Sequence, residues 1–333
     1  MAAESCASAA THTPAYVHIQ ATFIQALELN LEWDVAYRER IRQLDSTEDP
    51  SATALRDASR AALMAGELDV AAKLVQKSLE KNPEDSLANE IAGQVFLHKN
   101  KLERAEKYFQ KAIRITPHQV PSWLGLAVVY QKKSQPEQAL ETFQGALKAN
   151  PNTTELLYAF GNYCLTHNAP SQALAPLEKA ALLSKTTLKS AKGAASHKPS
   201  ASNQASQAKI ALDLGRAYHT LGRLPESLEA FAIGMQSIEG GAVSEPELLF
   251  AYAQALIDHA DYQQAIPLLE AVIQAQPQRL EAFLALGEAC LHAAEQPAGG
   301  IQAAGFLQHV ISHSQESQQV LQAEALFAEA QLL

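Results

Sequence analysis

A period of 34 residues runs through most of this chain, and very few folds are compatible with it. Leu87-Ala-Asn-Glu-Ile-Ala-Gly93 aligns with Pro121-Ser-Trp-Leu-Gly-Leu-Ala127. In the same register Ala105, Phe109, Ala112 and Pro117 fall on Ala139, Phe143, Ala146 and Pro151. One period earlier the equivalents are Ala71, Val75, Ser78 and Pro83, and one period later Gly161, Ala173, Leu177 and Ala180. Four contiguous repeats follow: 52–85, 86–119, 120–153 and 154–187, a block spanning 52–187. After a break the period resumes over 208–316, as repeats 208–241, 246–279 and 280–316. The last of these carries extra residues at Gln296–Gly300.

The apolar spacing within each repeat is helical, so a repeat is two short antiparallel helices, A and B. Counting from the start of a repeat, position 8 is always small (Ser59, Gly93, Ala127, Gly161, Gly215, Ala253, Gly287). A glycine inside a helix costs ~1 kcal/mol relative to alanine, so its recurrence calls for a close helix–helix approach. Position 20 on helix B is also small (Ala71, Ala105, Ala139, Ala173, Ser227, Ala265) and is expected opposite position 8. Position 24 is large and apolar (Val75, Phe109, Phe143, Leu177, Phe231, Leu269) and fills the space between neighbouring repeats. Pro83, Pro117, Pro151 and Pro277 at position 32 terminate helix B, because proline lacks an N–H and constrains the preceding residue.

This pattern resembles the tetratricopeptide repeat, and the resemblance covers about 52–333. The resemblance implies an all-α superhelical solenoid whose concave face is lined by the A helices. It also implies that positions 2, 5, 6, 9, 12 and 13 of helix A face the groove. In the first block that selects Arg56, Arg60, Ile91, Gln94 and His98, then Leu124, Val128, Lys132, Tyr158 and Asn162. In the second it selects Leu212, Asp213, Arg216, His219, Phe250, Gln254, Asp258, Leu284, Glu288 and His292. Two specialised forms of the family are not reproduced. A carboxylate clamp would need Lys and Asn where Arg56, Arg60, Ile91, Pro121 and Gly125 stand. An asparagine ladder would need more than Asn162 on that face.

The remaining segments are less regular. Residues 1–14 are expected to be disordered, and 15–49 to form a helical cap or degenerate repeat built on Ile19, Phe23, Leu27, Trp33, Tyr37 and Ile41. Residues 185–205, mainly Ser, Ala and Lys, break the period and are expected to be a flexible insertion. Residues 317–333 supply a C-terminal capping helix.

Charge and composition narrow the function. The net charge of −10 is uneven: 206–333 holds 4 Lys and Arg against 15 Asp and Glu. Such a half would repel a phosphate backbone, so nucleic acid is not an expected partner. The apolar runs are too short for a membrane-spanning helix, and the start lacks a signal-like apolar stretch, so a cytoplasmic protein is expected. Cys6, Cys164 and Cys290 are too scattered for a disulfide framework or a metal knuckle. Cys164 and Cys290 take a core position of helix A. His98, His167, His219, His259 and His292 cluster at the last turn of helix A, where they are expected to meet unpaired carbonyls. His309 and His313 share a helix face, with no third ligand in sequence reach for a metal. No nucleophile–base constellation, phosphate-binding loop or HExxH motif occurs.

The expectation is therefore a non-enzymatic scaffold without cofactor or metal. It would bind a peptide or helix of another protein in its groove, with a preference for basic segments toward the C-terminal half. Two rivals are a recognition module serving a separate glycosyl- or sulfotransferase, and a holding chaperone. The transferase reading suffers because the repeats occupy the chain to its last residue, leaving no space for a catalytic domain.

Overall fold

The computed structural model describes residues 33–193, 201–237, 245–293, 297–314 and 317–330. Among them every regular element is an α-helix, and the chain divides into two compact units, Met1–Pro151 and Asn152–Leu333. The first unit holds α1 (Trp33–Asp45), α2 (Ala52–Met64), α3 (Leu68–Lys81), α4 (Ser86–His98), α5 (Leu102–Ile115), α6 (Val120–Lys132) and α7 (Pro136–Ala149). The second holds α8 (Thr154–Thr166), α9 (Pro170–Gly193), α10 (Ala201–Thr220), α11 (Leu224–Gln236), α12 (Pro246–Asp258) and α13 (Tyr262–Ala275). It ends with α14 (Leu280–Ala293), α15 (Pro297–His313) and α16 (Ser317–Ala330). The even-numbered helices α2 to α14 are the A helices and their odd-numbered successors the B helices. The fourth repeat thus groups with those that follow it, and the 185–205 segment falls inside the second unit.

The knob at position 24 organises each repeat. Phe109 is fully buried, and a Cβ placed on Gly93 would lie 2.7 Å from its ring. The same ring presses on the next repeat: a Cβ on Gly125 would sit 2.3 Å from it. Phe231 occupies the space over Gly215 in the same way, at 2.4 Å. Position 8 is therefore small because the knob lies across it. Positions 8 and 20 do meet, through backbone: the Ser59 hydroxyl donates to the Ala71 carbonyl at 2.8 Å, and the Ser227 hydroxyl to the Gly215 carbonyl at 2.9 Å. In the last repeat the extra residues displace helix B by one turn, so Ala303 and Leu307 take over the small position and the knob, with Leu307 against Gly287.

The turn from A to B is one motif used six times. Gly66, Asn100, Ser134, Asn168, Gly222 and Ala260 all stand at position 15 and all have φ between +55° and +83°. The following N–H bonds back to the carbonyl at position 11, as from Lys101 to Phe96 and from Asp261 to Leu256, both at 2.8 Å. This is the 6→1 bond of a Schellman end, which satisfies a carbonyl the finished helix leaves orphaned. Successive repeats are further latched by tyrosines at position 11. Tyr130 donates to Glu106 at 3.1 Å while Lys133 pairs with Glu106 at 2.8 Å, and Tyr218 donates to Glu178 at 2.6 Å.

One expectation changes. The 185–205 segment is helical at both ends, because α9 continues to Gly193 and α10 begins at Ala201. Its alanine, lysine and leucine are good helix formers and no proline intervenes before Pro199. Residues 194–200 lie outside the described residues, as do 1–32, which take in the expected disordered start and the first part of the expected cap. The rest of that cap is α1, packed on α2 with Ala36 buried. α16 packs against α14 and α15 as the next A helix would.

Truncating the knob Phe109→Ala is expected to cost about 3–5 kcal/mol, read from chemical denaturation. Ala260→Gly is expected to stabilise by about 1 kcal/mol, because alanine is strained in the left-handed region. An unchanged or lowered melting temperature for Ala260→Gly would contradict the strain.

Candidate A-helix recognition face

Successive A helices touch within each unit, α2 with α4, α4 with α6, α8 with α10, α10 with α12 and α12 with α14, whereas successive B helices stand further apart. Each unit therefore has its A helices as the inner layer, and recognition chemistry is to be sought on their open side.

One edge of this layer is closed by pairs that recur with the repeat. The residue at position 34, just before the next A helix, reaches back to position 2 or 5. Asp85 pairs with the Arg56 guanidinium at 3.0 Å, and Arg56 also donates to Asp57 at 3.0 Å. Gln119 donates to Glu90, whose other oxygen accepts from Gln94 at 2.9 Å. Arg279 grips Glu247 with two bonds of 2.8 and 3.2 Å and lays its guanidinium 4.1 Å from the centre of the Phe250 ring. Asp85, Gln119, Glu247 and Arg279 are absent from the sequence-derived set. A signal was available for Asp85, Gln119 and Arg279, since position 34 recurs two residues after the helix-ending proline.

In the first unit Ile91 is buried, Leu124 and Gln94 are half-buried, and Arg60, His98, Val128 and Lys132 are exposed. In the second, Tyr158 and Asn162 on α8 converge on Asp213 of α10, the Asn162 amide donating at 2.8 Å. Burial, then the adjacent Asp213 carboxylate, pushes the Tyr158 hydroxyl well above the ordinary tyrosine range. Asp213 itself is only 5% exposed. Arg216 faces Glu247 at 3.6 Å, and His219 Nε2 bonds Asp258 at 2.6 Å. Leu212 and Glu288 are half-buried, while Gln254, Asp258 and His292 are exposed.

Four expected groove residues are therefore core. Ile91, Asp213, Phe250 and Leu284 are buried, because positions 5 and 6 turn toward the neighbouring A helix as the layer closes. Phe250 is in addition covered by Arg279, so neither it nor Leu284 offers an apolar anchor.

The histidines divide. His167 Nδ1 meets the Tyr163 carbonyl at 2.9 Å, as a helix-end cap should. His219 and His259 turn to carboxylates instead, Asp258 and Asp261, and the His292 ring lies 5.2 Å from that of Tyr262. The His309 and His313 rings lie 4.2 Å apart at a tilt of 31°, and His313 Nδ1 is 2.9 Å from the His309 carbonyl. Among the described residues no group of three or more His, Cys, Asp or Glu side chains is arranged to hold a metal ion. Cys164 and Cys290 are buried free thiols, and burial pushes Cys164 up to about 11, away from the reactive thiolate. Among the described residues no helix is long and apolar enough to cross a membrane.

Known proteins agree with this architecture. Two profiles described as Tetratricopeptide repeat match residues 56–120 and 96–163, and the Tetratricopeptide repeat protein 21 ARM repeat profile matches 156–295. No curated protein matches the chain. Among solved structures, pilF of Pseudomonas aeruginosa is 18% identical, with 72% of this chain and 96% of that one covered, at a TM-score of 0.54. PilW, described as a widely conserved type IV pilus biogenesis factor, is 14% identical, with 71% and 96% covered, at 0.52. A chain of the APC/C Cut9–Hcn1 hetero-tetramer is 14% identical, with 93% of this chain and 55% of that one covered, at 0.50. At these identities the likeness to solved structures is one of fold. With the three profiles together spanning 56–295 and the knob-and-turn geometry repeated along both units, the chain belongs to the tetratricopeptide-repeat family.

Proposed function

We propose that the chain is a non-enzymatic docking scaffold that holds a peptide or short helix of a protein partner along its A-helix layers. Membership of a repeat family of protein-interaction scaffolds supports this reading. The observation that carries it is the division of labour along each A helix. The start of the helix is engaged by the position 34 pairs, while most residues at positions 9 and 13, among them Arg60, Met64, Val128, Lys132, Gln254 and Asp258, are exposed. A cytoplasmic location is part of this proposal, and the two buried free thiols are compatible with a reducing compartment.

In the C-terminal unit the open positions favour a basic segment. Asp258 and Glu288 stand on neighbouring A helices; Asp258, which also meets His219, ends α12, where the backbone dipole already carries partial negative charge. Burial pushes the Glu288 carboxyl above its ordinary range; His292 opposes that rise and the Asp258 charge adds to it. A lysine or arginine entering here would offset the repulsion between the two carboxylates, in a half with 4 basic against 15 acidic residues. The acids should govern association rate and orientation more than final affinity.

A helix-forming peptide of leucine, alanine and lysine tests this by stopped-flow fluorescence. Reversing Asp258 and Glu288 together to lysine is expected to slow its association about tenfold or more and flatten the salt dependence. Unaltered association would refute the acidic site.

Glu288 also sets a pH signature. Its raised folded-state value means that its contribution to stability is present below the ordinary carboxylate range and is lost as pH rises through the folded value. Glu288→Gln is therefore expected to melt higher than the parent at pH 7, with the difference vanishing near pH 4. An equal melting temperature at pH 7 would count against that burial cost.

A further inference from the structure

We propose that the A-helix face of the N-terminal unit is a docking surface for an acidic, amphipathic segment of a partner protein, opposite in charge preference to the C-terminal unit. The inference rests on the reading of the A layer as the ligand-bearing side. Positions 9 and 13 of the three neighbouring helices α2, α4 and α6 are Arg60 and Met64, Gln94 and His98, and Val128 and Lys132. No carboxylate is among them, in a chain with 36 acidic against 26 basic residues. The carboxylates nearest along this face have partners of their own. Asp57 is bonded by Arg56, and Glu90 accepts from Gln94 and Gln119, with the Arg60 charge acting on it from α2.

Apolar exposure supplies the second half of the argument. Met64 is 51% exposed and Val128 37%, each on the same helix as a cation of the set. Isolated exposed apolar residues are ordinary, but here they flank the polar α4 row with cations beside them. The layout fits a ligand that covers two apolar points and presents a carboxylate to Lys132, with the Arg60 charge, already acting on Glu90, on the same face. Packed helices lie ~8–10 Å apart, so points on α2 and α6 are about 16–20 Å from each other. A helix rises ~1.5 Å per residue, so a helical ligand spans them with residues about eleven to thirteen apart. The occupant is thus a segment of roughly fourteen residues, long enough for one apolar side chain near each end.

The test uses the full chain and two fluorescent fourteen-residue helix-forming peptides of leucine and alanine, one with glutamate and one with lysine at its polar positions. Anisotropy titrations are run at low salt. Lys132→Glu and the double change Met64→Ser with Val128→Ser are expected each to weaken the glutamate peptide about tenfold and to leave the lysine peptide unchanged. All three side chains are exposed or nearly so, and a matching thermal melt verifies that the variants fold. If the glutamate peptide binds equally well to every variant, the N-terminal face is not its site and the inference falls alone. If neither peptide binds the parent chain, the docking role of the A layer fails and carries the inference down with it. If the parent self-associates and Lys132→Glu abolishes that, the occupant is a second copy and a separate acidic partner is refuted.

Discussion

The contact on which the structure depends is the bulky position 24 side chain lying across the small position 8 of its own repeat and reaching into the next. Phe109 touches the sites of both Gly93 and Gly125, so one ring joins two repeats. Burying a large apolar side chain contributes about 1.5–3 kcal/mol, and each repeat supplies one such knob to a neighbour that cannot form a core by itself. The last repeat shows how strict the requirement is. Extra residues in the A-to-B connection are absorbed by a one-turn shift that returns an alanine to the small site and Leu307 to the knob.

Close packing of A against B demands a turn that reverses the chain in very few residues. A single left-handed residue followed by a 6→1 bond achieves this in six repeats, with glycine, asparagine, serine or alanine at the bend. The turn is the same in each of these repeats, and the A helices of a unit pack in one layer. Position 34 is the other end of the same device. Because it precedes the next A helix, it sits beside the start of the previous one, where Asp85, Gln119 and Arg279 each find a partner. Positions 9 and 13 are among those left accessible, and there the two units differ. Arg60 and Lys132 stand in the first, Asp258 and Glu288 in the second.

Much of this was legible in the chain itself. Repeat boundaries, the small and large positions and the terminating prolines all follow from a period of 34 residues, since side chains at one register position must meet equivalent surroundings in every repeat. The core role of Cys164 and Cys290 followed from the same register. Less legible was which face residues stay open. Phe250 and Leu284 occupy positions assigned to the groove, yet both are buried, because their exposure depends on how closely the next A helix approaches.

What the sequence alone determined is the family pattern: helix pairs, their lengths, their knobs and the excess of acid after residue 206, all properties that repeat locally or sum along the chain. Tertiary structure decided the pairing of polar groups. Asp213 looked like a groove acid, but it is buried beneath Tyr158 and Asn162, whose repeat is separated from its own by the 185–205 segment. Arg279 is a turn residue in sequence and a cover for Phe250 in space. Such partnerships join side chains about thirty to fifty residues apart. The 3.6-residue geometry of one helix cannot specify them, because they depend on the distance and rotation between helices that only the packed repeats establish.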